Sequence, residues 1–373
     1  MSAAADPSAA AAQDRWAEAT QLRLTWWRFR KHRLAVVSLF VIVLFYLVAA
    51  FADFLAINDP HATDARRSFI PPQTIHLFDE NGFNPHVYGL RGVRDRQTFQ
   101  LTYTPDPNRK LPVRLFTRGY TYNLLGLFET DIHLIGIEGG QRTDGIFLLG
   151  TDQLGRDLFS RMIVATRVSL SIGLAGVTIS LILGILLGGI SGLYGGWIDT
   201  LIQRLIEVLR SIPTIPLWMG LAAALPNTWS TTQVYLAITI IISLIGWTDL
   251  ARVVRGRFLS LREEDFVVAA ELAGASQGRI IFRHMLPSFA SHIIAAVSLA
   301  LPAMIVSETA LSFLGLGLRP PAISWGILLQ DAQNIQVLSG APWLLSAAVP
   351  VILVILAFNF LGDGLRDAAD PYG

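Results

Sequence analysis

Stretches of about twenty residues with almost no charge recur along this chain, and each is long enough to cross a bilayer as a helix. A hydrocarbon core about 30 Å thick needs roughly 20 apolar residues at helical rise. Leu34–Ala52 and Leu170–Tyr194 meet that requirement. Ile212–Leu225, with the amphipathic turn before it, makes a third span, and Val234–Trp247 with its flanks a fourth. Phe289–Val306 and Trp343–Leu361 complete six. Arg204, Glu207 and Arg210 crowd the start of the third, and Asp249 the end of the fourth. Only 15% of the residues are charged, against about 25% in soluble proteins. The expected fold class is an all-α polytopic membrane protein with six transmembrane helices.

Short-loop arginines set the expected orientation. Arg15, Arg23, Arg28, Arg30, Lys31 and Arg33 precede the first span, and Arg252, Arg255, Arg257, Arg262, Arg279 and Arg283 lie between the fourth and fifth. By contrast Pro226–Gln233 has no basic residue and Gly315–Pro342 only Arg319. Both termini and the arginine-rich loop are therefore expected in the cytoplasm. Met1–Ala12 reads as a disordered tail, and Arg15–Arg33, with Trp16, Trp26, Trp27 and Phe29 among its arginines, as a helix in the membrane interface. Ala50-Phe51-Ala52 resembles a signal-peptide cleavage site, but the apolar run is too long and begins too late for a signal. The organisation expected is a tail and interfacial helix at 1–33, a first span at 34–52, an extracytoplasmic insert at 53–148 and a five-helix core at 149–373.

The insert changes character at once. Asn58-Asp-Pro60, Pro71-Pro72, Asp79–Gly82, Pro105-Asp-Pro107 and Asp144-Gly145 punctuate it, and Thr98–Tyr103 and Val113–Thr117 read as strands between turns. It is expected to be β-rich. Its histidines, His61, His76, His86 and His133, lack metal-ligand spacing and read as structural. The chain has no cysteine, which removes thiolate sites and disulfides. A net charge of +1 without a basic, aromatic-laced patch gives no sign of nucleic-acid binding. No Gly-Lys pair occurs, so a phosphate-binding P-loop is absent. No catalytic arrangement of nucleophile, base and orienting acid is expected, and if ATP is used another chain binds it.

Between the fourth and fifth spans, 251–288 is polar and arginine-bearing, with a helix, a glycine break and a second helix. Gly274 and Ala275 stand where the first helix must end, and a glycine accepts the positive φ of such a turn. This stretch resembles the "EAA" loop of binding-protein-dependent ABC importers, which docks the permease onto its ATPase. Ala269, Ala270, Gly274, Leu286 and Pro287 fall on that motif, while Val268 replaces its Glu and His284 its apolar position. Glu271 lies one turn beyond Val268. Leu149–Arg161, Ser307–Pro321 with Ser324-Trp-Gly326, and Phe358–Pro371 are similar to further segments of the family's dipeptide/oligopeptide/nickel branch. In the first of these, Thr151 or Asp152 is expected to cap a short helix whose Arg156 and Arg161 stay at the headgroups.

The resemblance implies a permease subunit of an ATP-driven importer in a bacterial plasma membrane. It would work with a second homologous permease, two ATPase subunits and an extracytoplasmic substrate-binding protein. ATP and Mg would sit in the ATPases and no cofactor in this chain. Ala269, Ala270, Glu271, Gly274, Ala275, Ser276, Gln277, Arg279, Ile280, Leu286 and Pro287 would form the docking loop, with Gln277, Arg279 and Ile280 offered to a groove on the ATPase. Glu308 is the sole acid within the fifth apolar region. A charge at mid-bilayer costs about 2.5–3.5 kcal/mol on insertion scales, so Glu308, with Ser307 and Ser312, is read either as lining the path or as bonded to a neighbouring helix. Peptides are the expected cargo, with oligosaccharides or opines the alternative. The rival class is an ion-coupled secondary transporter, for which Glu308 is the only midplane candidate. Gly173, Gly176, Gly184, Gly188, Gly189 and Gly192 in the second span predict close helix packing inside the bundle.

Overall fold

A computed structural model describes residues 21–80, 82–94, 101–137 and 144–369. The alanine-rich start, the part of the aromatic–arginine stretch before Gln21, residues 98–100 of a strand expected at Thr98–Tyr103, Asn81 of the first hairpin turn, and Asp370 and Pro371 of the last motif lie outside these residues.

The chain opens with α1 (Gln21–Lys31), then α2 (Arg33–Ala50), whose first turn is capped by His32 accepting from Ala35 N at 3.3 Å. A short α3 (Ala52–Leu55) carries the helix past the first span, so the insert begins later than Asp53. Four strands follow: β1 (His76–Asp79), β2 (Gly82–Arg94), β3 (Leu101–Leu124) and β4 (Phe128–Ile137). They pair antiparallel in the order β1-β2-β3-β4. The β-rich insert is a meander whose base is a cluster of Val87, Leu111 and Ile146 with Ile57, Val113 and Ile135.

The helical core then unrolls as α4 (Leu158–Tyr194), α5 (Gly196–Ser211), α6 (Thr214–Ala223) and α7 (Thr231–Leu261). After α8 (Asp265–Leu272), a helical segment, α9 (277–288), leads to α10 (Ala290–Phe313), α11 (Trp325–Asp331), α12 (Ile335–Gly340) and α13 (Ala348–Ala369). Among the described residues five helices are long and apolar enough to cross a membrane, and six passes result if α5 and α6 count as one. That pair is bent by 86°. Ile212–Leu225, expected with the amphipathic turn before it as the third span, holds α6, and a sharp break separates it from α5. Pro213 pushes the residue before it out of the helical region, and Ile212 sits extended at ψ 129°. The ten residues of α6 alone rise only about 15 Å.

The glycines of α4 form the contact that holds the bundle. A Cβ at Gly184 would lie 2.9 Å from the Leu250 side chain, one at Gly192 would lie 2.8 Å from the Arg255 carbonyl oxygen, and one at Gly188 would overlap the Ala251 backbone. On another face, Gly173 would meet Ile305 of α10 at 2.8 Å. In lipid, helices gain nothing by hiding apolar surface from one another, so association relies on such close packing. α13 closes the bundle against α1 and α2, with Phe29, Ala35, Val354 and Phe358 in one buried cluster.

A larger side chain in this seam must drive α4 and α7 apart. We expect Gly188→Leu to cost more than the roughly 1–3 kcal/mol typical of overpacking, because its obstacle is backbone. Gly220→Leu on α6, where a Cβ meets nothing within 4 Å, is the control. Thermal unfolding of the purified subunit should show a clear loss for the first and little change for the second.

Candidate functional site

The bundle has two ends: one carries the sheet, the other the loop between α7 and α10. At the loop end, α8 stops in a Schellman turn. Gly274 N–H donates to Glu271 O at 2.9 Å and Ala275 N–H to Ala270 O at 3.0 Å, with Gly274 at φ +75°. That left-handed residue is where glycine is favoured. Ser276 then starts α9, its Oγ accepting from Arg279 N at 3.4 Å. α9 passes through a π-helical turn, with Leu286 N–H bonding back to Ile281 O. Pro287 follows directly; its ring cannot tolerate normal spacing to the preceding turn, and the wider turn makes the room.

One side of this loop is pinned. Val267, Ile280 and Met285 are buried against Val254 and Phe258 of α7 and Phe289, with Ala270, Ala275 and Leu286 packed at the edge. Ile280 was expected to face a partner, and that expectation is corrected: it is wholly buried, because its position on α9 points at the end of α7. The other side is open. Ala269, Glu271, Gly274, Ser276, Gln277, Arg279 and Pro287 are exposed, and Leu272, at 85% exposed, is an apolar side chain in solvent. A Cβ at Gly274 meets nothing within 4 Å. The result is a firmly held turn with a small, bare crest. Leu272 lies within the expected loop, beside Glu271, but was not among the residues expected to form the contact.

Gly274-Ala-Ser-Gln-Gly278 has the Gly-x-Ser-x-Gly spacing of a hydrolase nucleophile turn, which corrects the expectation that no serine of the chain stands in that pattern. That turn needs a strand before it and a base beside the serine. Here a helix precedes it, and the Ser276 hydroxyl serves as a helix cap.

At the sheet end, charged groups gather around the start of α4. Arg161 bonds Asp152 at 2.5 Å and Asp331 of α11 at 3.1 Å, and Arg156 bonds the same carboxylates at 2.6 and 3.1 Å. Arg161 is buried, which corrects its expected place at the headgroups: two carboxylates, one brought by α11, compensate it inside the protein. Capping is also corrected. Asp157, not Thr151 or Asp152, caps α4, accepting from Ser160 N at 3.0 Å and Ser160 Oγ at 2.5 Å. Ser160 Oγ in turn accepts the backbone N–H groups of Ile57 and Asn58 at 2.9 and 3.0 Å, tying the insert to the bundle.

Glu308 lies on α10, fully buried. Its carboxylate accepts from Ser169 Oγ of α4 at 3.2 Å and from Ser312 Oγ at 2.8 Å. Each serine also accepts a backbone N–H, from Trp325 at 3.2 Å and Leu318 at 3.1 Å. Of the two readings offered by the sequence, the geometry realises the bond to a neighbouring helix: Glu308 and Ser312 are enclosed and join α4, α10 and the approach to α11. Ser307 bonds Ala303 O of its own helix, at 2.7 Å. A concave surface of the bundle lies elsewhere, between α4, α7 and α10. It is a cavity of about 330 Å³ walled by Val177, Leu181, Val253 and Val297, with Ser180 and Asp249 as polar points. Asp249 pairs with Arg210 of α5. Apolar side chains spread over three helices carry no local signal, so the sequence did not mark this wall.

Two measurements probe these contacts. Glu308→Leu strands two buried serine hydroxyls and should lower stability by about 1–3 kcal/mol, whereas Glu308→Gln, which keeps an acceptor, should lose less; thermal unfolding of both variants checks this. Burial pushes the Asp157 carboxyl from 3.8 up to about 6. The folded chain thus holds this proton more tightly than the unfolded one. Its contribution is complete below about pH 4 and is lost as pH rises through about 6, a change on the order of 2–3 kcal/mol. Stability measured from pH 4 to 8 should fall less steeply in Asp157→Asn than in the parent.

Comparison with known proteins agrees with this architecture. The family described as binding-protein-dependent transport system inner membrane component matches residues 184–372, and the N-terminal transmembrane domain of oligopeptide transport permease C matches residues 20–72. The strands lie between the two matched stretches. The chain is 41% identical over 223 residues to the dipeptide transport system permease protein DppC of Alkalihalophilus pseudofirmus, covering 60% of this chain and 71% of that one. It is 42% identical over 230 residues to the oligopeptide transport system permease protein OppC of Haemophilus influenzae, covering 61% and 71%. Superposition on a chain of the inward-facing MetNI methionine ABC transporter gives a TM-score of 0.44 at 16% identity, over 57% of this chain and 98% of that one. By its matched sequence and its several membrane-spanning helices, the chain belongs to the binding-protein-dependent transport system inner membrane components, the permease subunits of ABC importers.

Proposed function

We propose that this permease forms half of the path by which an ATP-driven importer takes up di- or oligopeptides delivered by an extracytoplasmic binding protein. The cargo reading rests on the relatives, which are named for dipeptide and oligopeptide transport. A second homologous permease would supply the other half of the path, and two ATPase subunits would bind ATP and Mg. The arginine bias of the short loops supports placing both termini and the α8–α9 loop in the cytoplasm, and the sheet on the opposite side. The cavity between α4, α7 and α10 is the part of the path proposed for this subunit. Its largely apolar wall suits cargo of varied side chains held without strong, specific bonds.

The observation that carries the assignment is the bare crest of the α8–α9 turn. Ala269, Glu271, Leu272, Gly274, Ser276, Gln277 and Arg279 would enter a groove on the ATPase, while Ala270, Ala275, Ile280 and Leu286 hold the turn from behind. Such a contact lets ATP-driven closure of the ATPase pair pull on α7 and α10 and switch the path between its two faces.

Gly274→Asp tests this. Asparagine and aspartate both tolerate the left-handed backbone better than other side chains, and the position is sterically open within the subunit. The turn should survive in Gly274→Asp and Gly274→Asn alike. A charge buried without a partner costs several kcal/mol, so Gly274→Asp should insert normally, lose its ATPases on purification and import nothing, with Gly274→Asn impaired less. A stoichiometric ATPase retained by Gly274→Asp would overturn the docking assignment. For cargo, ATPase activity of the reconstituted importer should rise with peptide-loaded binding protein and not with oligosaccharide.

A further inference from the structure

The tip of the β3–β4 hairpin reads Leu124-Leu-Gly-Leu-Phe128. Leu125 is 54% exposed, Leu127 75% and Phe128 67%. Three large apolar side chains on one turn, without a charge among the five residues, are costly to leave in water. The course of the hairpin shows where they lie. Its base packs with Ile57, beside Val113, Ile135 and Ile137. Four residues nearer the tip, His133 Nδ1 lies 3.0 Å from Asp53 O, and the Phe116 ring stands 6.3 Å from that of Phe54. Going toward its tip, the hairpin thus retraces the chain from Ile57 back to Asp53, that is, toward the end of α2.

Asp53 is the first charged residue after the uncharged run of the first span. It pairs with Arg167 of α4 at 2.7 Å, and Arg167 also donates to Ala49 O at 2.9 Å. From Leu34 to Ala50, α2 below this point carries no charged residue. From His133 to Phe128 is five residues, a reach of about 17 Å at strand rise. The pairing register of the hairpin shifts between Arg118 and Tyr122, at the level of Asp53. There Tyr120 and Tyr122 pack on the His133 ring at 4.4 and 4.9 Å, a position suited to headgroup-level aromatics. Arg118, its side chain 85% exposed, stands at the same level beside Asp131.

We infer that the β3–β4 tip dips into the lipid leaflet on the sheet side, with Leu125, Leu127 and Phe128 among acyl chains and Arg118 and the tyrosines at the headgroups. The insert would then be anchored to the membrane beside the first span, in addition to its bonds to α4. The charge-free composition of the tip and its direction favour lipid over a charged protein surface.

The chain has no cysteine, so a nitroxide placed at Leu127→Cys, or at Arg118→Cys for comparison, reports a defined site. The whole importer in phospholipid nanodiscs, with other reactive thiols removed, is the sample. Oxygen, which concentrates in acyl chains, should relax the Leu127 label several-fold more than a water-soluble nickel chelate does, and the order should reverse at Arg118. Ready access of the chelate to the Leu127 label would place the tip in water. Low access of both agents would mean a protein surface covers it, such as the second permease. Either of these results overturns the inference.

Discussion

The contact on which the rest of this structure depends is the near approach of α4 and α7 along the face of Gly184, Gly188 and Gly192. Once two helices are in lipid, apolar surface alone does not draw them together, and dispersion at short range must do so. The missing side chains let Leu250, Ala251 and Arg255 of α7 settle onto the α4 backbone. α10 then seats on another face of α4 through Gly173 and Ile305. With these three helices placed, the wall between them and the positions of the loops at both ends follow.

The seam also explains why the α8–α9 turn is held so firmly. The last turns of α7 carry Val254 and Phe258, and these receive Val267, Ile280 and Met285. Displacement of the turn must therefore act on α7 and on α10, which begins just beyond Phe289. A pinned back and a bare crest are what the proposed docking onto an ATPase would require. The π turn before Pro287 adjusts the path of the chain at the place where the loop becomes a spanning helix.

At the far end of α4, polar bonds replace glycine contacts. Arg161, Asp152 and Asp331 join α4 to α11, Asp157 and Ser160 join it to the chain entering the insert, and Glu308 joins it to α10. Arg161 and Glu308 each have partners from a different element, the condition under which such groups are retained away from water, whereas Asp157 is bonded by Ser160 of the helix it caps. A helix of 37 residues, about 55 Å long, thus spans from one fastening to the other.

Composition and periodicity were enough to settle that this chain lives in lipid, because a run such as Leu34–Ala52 has few other stable states. The glycine spacing of α4, the turn at Gly274 and the strand-and-turn texture of the insert were likewise legible, since each depends on local backbone chemistry. Tertiary structure decided what depends on distant partners. Arg161 reads as a headgroup residue until Asp331, from far along the chain, meets it. Glu308 reads equally as path or fastener until Ser169 of α4 reaches it. Ile280 reads as part of the crest until the end of α7 covers it. Hydropathy does not register direction, so the bend between α5 and α6 at Ile212 and Pro213 appears only in the folded chain. The sequence determines which residues must leave water; which neighbours they find there is a property of the packed bundle, because burial of a charge or a side chain is settled by atoms that lie far away in the chain.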